Sequence, residues 1–429
     1  MRTALLLTYI FVLFSRLQEF PIGDYFFYRM RVFSIVFILA LLAALWSGRL
    51  RYSLSSPLGL LLAAFTVWML PATAFSVWKA NSLEILYDVW LPSVAPFVLV
   101  ASLAVSLREC RGTMYAITLA TLVCVGGNTM LGLTEVGRLT DAAGTLNAND
   151  LANHLLIGIP FCILMIADPR PFPKIIGIGS VALVLLGVMK TGSRGGLIIL
   201  TVLTLLFLWK CSWVNKLKVS LVLLALAAYS VRSLPEIVRY RYLTLFPGAT
   251  KDELIAAQLE GAIGSQESRW ASFKESLALT LRHPVFGVGP GGFMTASGKA
   301  AERLSEAPSW LETHNTYTQI SSEMGLPGLL FYGAAYVLCL RRTASVYRLA
   351  RRRADLTPLS DMAFALLLSL VALGVAGLFS NMGYLFRLPL LAGLTLAFST
   401  QAEAEIQAAG TEGRHTAAGL FAPPATARI

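Results

Sequence analysis

Apolar residues in this chain come in long runs separated by short polar connections, with one long polar interval late in the sequence. The runs lie at 3–14, 32–46, 58–75, 90–107, 114–131, 151–166, 175–189, 197–209, 219–231, 326–340, 362–379 and 385–398. Each is trimmed to its apolar core, and flanking residues extend it toward the ~20 residues that a helix needs to cross a bilayer. The pattern predicts about twelve transmembrane helices. No small-residue cleavage signature follows the short first run, so it reads as a retained helix and not a signal peptide. The polar interval runs from Arg232 to Glu323. Residues 1–231 are therefore expected to hold nine helices, 232–323 one large loop with amphipathic helices, and 324–400 three more helices. The stretch 401–429, rich in Ala, Gly, Thr and Pro, is expected to be a disordered tail.

Composition fixes the class. Only 14% of residues are charged and 56% are hydrophobic, whereas soluble chains carry about 25% charged residues. The chain reads as an all-α polytopic membrane protein. Its net charge of +11 then belongs to membrane-facing loops and not to nucleic-acid binding. Arg49, Arg51, Arg108, Arg111, Arg170, Lys174, Lys210, Lys216, Lys218 and the cluster from Arg341 to Arg353 follow every second run. The positive-inside bias places those connections, and both termini, in the cytoplasm. Arg16, Arg29 and Arg31 depart from the alternation. The long interval and the 131–151 connection then face the other side. The five cysteines lie within runs or at their cytoplasmic ends, which suggests neither a disulfide framework nor a cysteine-rich metal site.

Against this background a few polar residues stand out. Lys190 and Arg194, in Lys190-Thr191-Gly192-Ser193-Arg194-Gly195-Gly196, fall on the outer side, against the charge bias. The glycines permit a tight turn and close backbone approach to a ligand, and a cation beside exposed N–H groups suits a phosphate. A snorkelling arginine at a helix end is the alternative. In the next segment Trp270, Phe273, Leu277 and Leu281 recur at helical spacing, which predicts an amphipathic helix on the bilayer surface, ended by His283-Pro284. Arg269 is expected near its N-terminal end, where backbone donors favour anions; simple pairing with lipid phosphate is the other reading. His314, in Glu312-Thr313-His314-Asn315-Thr316-Tyr317, is the one histidine of four in a polar stretch that abuts the membrane on the outer side. It suits a general base held neutral by nearby arginines. A hydrogen-bonded structural histidine fits as well, and Glu312 competes as the base. In Gly144-Thr145-Leu146-Asn147-Ala148-Asn149-Asp150 the polar side chains either cap the following helix, with Asn149 or Asp150 the expected cap, or bind sugar hydroxyls.

These pieces, together with Gly287-Val288-Gly289-Pro290-Gly291-Gly292-Phe293, Gln319 and Glu323-Met324-Gly325-Leu326-Pro327-Gly328, share one order and one expected side of the membrane. The combination resembles the O-antigen ligase and polymerase superfamily of bacterial envelope enzymes, over roughly residues 131–340. The resemblance implies a GT-C-like, metal-independent, inverting glycosyltransferase of the bacterial inner membrane, without a cofactor and with its site facing the periplasm. The implied donor is a glycan on undecaprenyl diphosphate. In the ligase branch the acceptor is the lipid A–core of lipopolysaccharide; the remaining partners are membrane lipids, and no nucleic acid is involved. The family's phosphate-binding arginines fall on Arg194 and Arg269, and its catalytic histidine on His314. Lys190, Ser193, Gly195, Asn315, Asn147 and Asn149 are the expected substrate-binding positions. A single large outer loop ending in His-Asn favours the ligase. A polymerase using the same donor, a protein O-oligosaccharide ligase and a lipid-linked glycan transporter are the other readings; a transporter predicts internal repeats and polar residues at mid-membrane depth.

Overall fold

The computed structural model describes residues 1–20, 31–131, 134–135, 137–141, 146–243, 253–303 and 312–420. Arg29, Gly144 and Thr145, named above, lie outside the described residues. Apart from one short helical turn at Leu50–Ser55, the helices are α1 (Arg2–Ser15), α2 (Val32–Trp46), α3 (Pro57–Ala74), α4 (Lys79–Leu103), α5 (Leu107–Leu131), α6 (Ala148–Ile166), α7 (Pro171–Lys190) and α8 (Arg194–Lys210). They continue as α9 (Trp213–Ser233), α10 (Glu236–Leu243), α11 (Glu253–Arg282), α12 (Phe293–Arg303), α13 (Thr316–Ala350), α14 (Thr357–Ala376) and α15 (Arg387–Leu420). Between α5 and α6 a short antiparallel hairpin pairs β1 (Thr134–Glu135) with β2 (Arg138–Leu139).

Each of the twelve apolar runs lies mainly in a helix. Among the described residues seven helical segments are long and apolar enough to cross a membrane: α3, α4, α5, α6, α7, α13 and α14 with the turn before it. α1 and α2 are apolar but shorter. The chain is an all-α polytopic membrane protein. α15 runs past Gln401 to Leu420. The Ala, Glu and Gln residues that follow Gln401 are strong helix formers, and residues 421–429 lie outside the described residues.

α6 is the central post. Its apolar window is 78% buried against 33% for α7, as expected of a helix that is apolar on every face and enclosed by its neighbours. Its first turns carry Asp150, Asn153 and His154, so polar groups are built into the top of the core.

α13 is two helices joined at a kink. Gly325 has φ 69° and ψ −176°, and an added Cβ there would stand 2.0 Å from the carbonyl oxygen of Val285. The kink receives the turn after α11: Leu326 N–H donates to Pro284 C=O at 2.8 Å, Val288 N–H to Ser322 C=O at 2.8 Å, and Gly289 N–H to Glu323 C=O at 3.0 Å. These bonds fix the end of α11 to the short upper half of α13.

α11 turns its small polar face to the protein. Ser272, Ser276 and Thr280 are buried, and the Thr280 and Ser321 hydroxyls share a hydrogen bond at 2.8 Å. The apolar stripe faces away, with Trp270, Leu277 and Leu281 exposed and the Trp270 ring stacked on Phe273. A stripe of this kind on the outside of a membrane protein is suited to the bilayer interface.

Candidate active site

The turn between α7 and α8 sets Arg194. Gly192 takes the left-handed conformation, φ +60°, which ends α7 in the way glycine commonly ends helices. Ser193 then caps α8, its hydroxyl accepting from Gly196 N–H at 3.1 Å. Gly195 and Gly196 let the new helix approach its neighbours: added Cβ atoms would stand 3.2 Å from Phe379 and 3.1 Å from the Ala152 side chain. The close approach expected here toward a ligand is therefore made toward the protein itself. Arg194 is the first residue of α8, and Lys190 the last of α7; both are half-buried.

α10 covers this turn. Val238 is fully buried, the Tyr242 hydroxyl donates to Met189 C=O at 3.0 Å, and a Cβ at Gly192 would stand 3.6 Å from Arg241 Cδ. From the other side Arg138 Nε donates to Thr191 C=O at 2.8 Å, and its Nη2 to Asn149 Oδ1 at 3.0 Å. The cap of α6 is Asn147, in place of the expected Asn149 or Asp150: its Oδ1 accepts from Asn149 N–H at 2.9 Å and Asp150 N–H at 3.1 Å.

His314 stands just before α13 and adopts φ +50°, a region that non-glycine residues occupy at a cost of roughly 1–3 kcal/mol. Its neighbours hold it there. Asn315 caps α13, its side chain accepting from Tyr317 N–H at 2.9 Å and Thr318 N–H at 3.1 Å. The loop between α14 and α15 grips the same segment. Asn381 Oδ1 accepts from the Thr313 hydroxyl and, at 3.1 Å, from Asn315 N–H. Its Nδ2 donates to Glu312 at 2.8 Å. Thr316 N–H donates to Gly377 C=O at 2.7 Å, and the Ser380 hydroxyl donates to Asp150.

Electrostatics joins the pieces. Burial lowers the affinity of the Arg269 guanidinium for its proton, and Arg194 and Arg241 lower it further, while Asp150 opposes them. Arg241 is lowered by burial and then by Arg194. The His314 imidazole is held below its ordinary value first by burial and then by Arg269, with Glu312 and Asp150 pulling the other way. Arginines remain charged under any such shift. Arg194, Arg241 and Arg269 thus lie within one another's field, and the imidazole of His314 lies within that of Arg269. Such a set can hold a multiply charged anion beside a group able to accept a proton.

The structure corrects one premise. α11 begins at Glu253, so Arg269 lies well inside the helix and not near its N-terminus; it contributes its own charge, without free backbone donors beside it. Sequence reasoning missed Arg241 and Asn381. The first sits in Arg239-Tyr240-Arg241-Tyr242, just past an apolar run on the expected outer side, the same departure from the charge bias that marked Arg194. The second is the polar break Ser380-Asn381 between two apolar runs. Among the described residues no three His, Cys, Asp or Glu side chains are grouped so as to hold a metal ion.

A search of the curated proteins gives no match. Residues 179–333 match the family model described as O-antigen ligase. That segment, about a third of the chain, contains Arg194, Arg241, Arg269 and His314, and over it the chain is similar to the O-antigen ligase family.

Proposed function

We propose that this protein transfers a glycan from undecaprenyl diphosphate to the lipid A–core of lipopolysaccharide, at the periplasmic face of the bacterial inner membrane. The observation that carries the reading is the position of Arg269, whose charge acts on His314 while Arg194 and Arg241 act on Arg269. In this reading twelve helices cross the membrane in a GT-C-like arrangement, and 232–323 lies over them on the periplasmic side. The alternation of basic connections supports that orientation.

The chemistry is an inverting displacement. Arg194, Arg269 and Arg241 hold the diphosphate, and their guanidiniums can bind its oxygens bidentately. His314 is neutral near pH 7 because burial and Arg269 disfavour its charged form. It takes the proton of the acceptor hydroxyl as that oxygen bonds to the anomeric carbon. The bond from that carbon to the diphosphate breaks on the opposite face, and the electron pair leaves on the phosphate oxygen. The arginines stabilise that charge without a metal; one preorganised donor of this kind is worth ~100- to 1,000-fold in rate. Ser193, Gly195, Asn147 and Asn315 act by setting the helix starts that aim these groups. Lys190 and Asn149 lie at the rim of the same turn.

A deletion strain tests the reading. The ligase leaves lipopolysaccharide without long chains and polymer accumulating on the lipid carrier. Single repeat units alone on that carrier would instead select a polymerase, and unchanged surface glycans would reject both.

A further inference from the structure

A cavity of ≈ 510 Å³ is walled in part by Glu312 and Thr313, the two residues that precede His314 in the chain. Asp150, Glu323, Tyr384 and Arg387 are among its other walls. Arg194, Arg241 and Arg269 are not among its walls. Arg387 is only 2% exposed. Its Nε has no hydrogen-bond partner, and among the described residues its guanidinium forms no salt bridge.

The other charges of this cavity are already engaged. Glu323 accepts from the Tyr384 hydroxyl at 2.8 Å and from Phe293 N–H at 3.3 Å. Glu312 accepts from Asn381, Asp150 from Asn147 and Ser380, and Arg16 faces Asp141 at 3.5 Å. Among the described residues Arg387 is the one charged wall of this cavity without a salt bridge or a hydrogen-bonded partner, and a buried charge left this way is strongly unfavourable unless a ligand completes it. The remaining walls suit a sugar: Asn81, Gln319 and Asn381 offer amides, and Tyr384 and Phe386 offer ring faces.

We infer that this cavity holds an acidic sugar of the acceptor glycan, its carboxylate or phosphate bound by Arg387. The assignment to the acceptor rests on the proposed transfer reaction. Inversion brings the acceptor from the face opposite the diphosphate, and the cavity is walled by Glu312 and Thr313, next to His314 in the chain, and not by the arginines assigned to the diphosphate. Asp150 is a wall of this cavity, and its charge acts on Arg269 and His314 as well as on Arg387.

The test uses the full-length protein in detergent, titrated with galacturonate, glucose 6-phosphate and glucose and followed by saturation-transfer NMR. An anionic sugar is expected to bind ~10-fold more tightly than glucose, as a charge-assisted bond allows. Arg387→Gln removes that preference, whereas Arg269→Ala retains it. In transfer assays Arg387→Gln raises KM for the acceptor and leaves KM for the donor unchanged. Acceptor glycolipid stripped of phosphate, or with its carboxylates reduced, abolishes the difference in one arm and so identifies the anion. Arg387→Met is expected to raise Tm, because an uncompensated buried charge is gone, and to lose the anion preference; an arginine with a purely structural role would lower Tm instead. Equal binding of all three sugars, a preference that survives Arg387→Gln, or a KM change on the donor would overturn the inference. The binding readout needs no turnover. An Arg387-dependent preference in a protein that transfers nothing would therefore uphold the anion site and reject the transferase reading.

Discussion

Gly195 lies against the side chain of Phe379, with only 3.2 Å between the place of an added Cβ and the Cβ and Cγ of that ring. Arg194 is its chain neighbour. Phe379 belongs to the loop whose Asn381 binds both residues that flank His314. The cationic side of the site and its basic side are thus assembled along one seam. Gly195→Val is expected to lower transfer at least ~10-fold, since over-packing such a contact costs about 1–3 kcal/mol. Adding Phe379→Ala should recover part of the loss. A double-mutant cycle with purely additive effects would show that the two residues are not coupled.

Arg241→Ala should reduce kcat/KM by ~100-fold, on the scale expected for Arg194→Ala and Arg269→Ala. Arg241→Lys should restore little, because an ammonium cannot bind two phosphate oxygens in the fixed fork of a guanidinium. The measurement is glycan transfer by purified variants that accumulate normally in the membrane. Wild-type rates for Arg241→Ala would remove this residue from the diphosphate site.

The pH profile follows from His314. A base must be deprotonated, and the imidazole is held below its ordinary 6.5, so kcat/KM should be flat from neutral pH upward and fall only in acid. Glu312 favours the charged imidazole. Glu312→Gln should therefore move the acid limb to lower pH. Arg269 disfavours it, so Arg269→Gln should move the limb to higher pH in the residual activity. Shifts of the opposite sign would mean that another group sets the profile.

Asn381→Ala removes the acceptor of Thr313 and of Asn315 N–H and the donor to Glu312. Leaving such groups without partners costs about 1–3 kcal/mol. The expected outcome is a lower kcat with donor KM little changed, because the diphosphate-binding arginines stay in place. An unchanged kcat in Asn381→Ala would mean that the loop does not position His314.

Much of this was legible in the chain. Long apolar runs must become helices in lipid, since only helices satisfy the backbone there, and the run at 32–46 coincides with α2 (Val32–Trp46). Arg194, Arg269 and His314 were singled out by charge and position, each with a structural alternative, and their expected roles came from the family resemblance. The misreadings have physical causes. Arg269 looked N-terminal because the apolar stripe begins at Trp270, but helix formation in α11 starts upstream in a polar, Ala-containing segment that shows no stripe. Capping depends on which side chain folds back on the next turn, and Asn147, Asn149 and Asp150 are chemically able to do so alike. Arg387 was invisible because it is an arginine at the edge of an apolar run, and its enclosure is created by chain segments far away in sequence.

The outward stripe of α11 has a consequence for the cell. Trp270 and Leu281 are 60% and 73% exposed, and Arg269 is the residue before Trp270 on the same rigid rod. If the rings ride at the waterline of the bilayer, the height of that guanidinium is set by the lipid surface as a float sets a lever. The lipid-borne diphosphate of the proposed reaction would sit at a depth fixed by the same surface. Donor and arginine would then stay in register in membranes of different thickness, because both take their height from one interface.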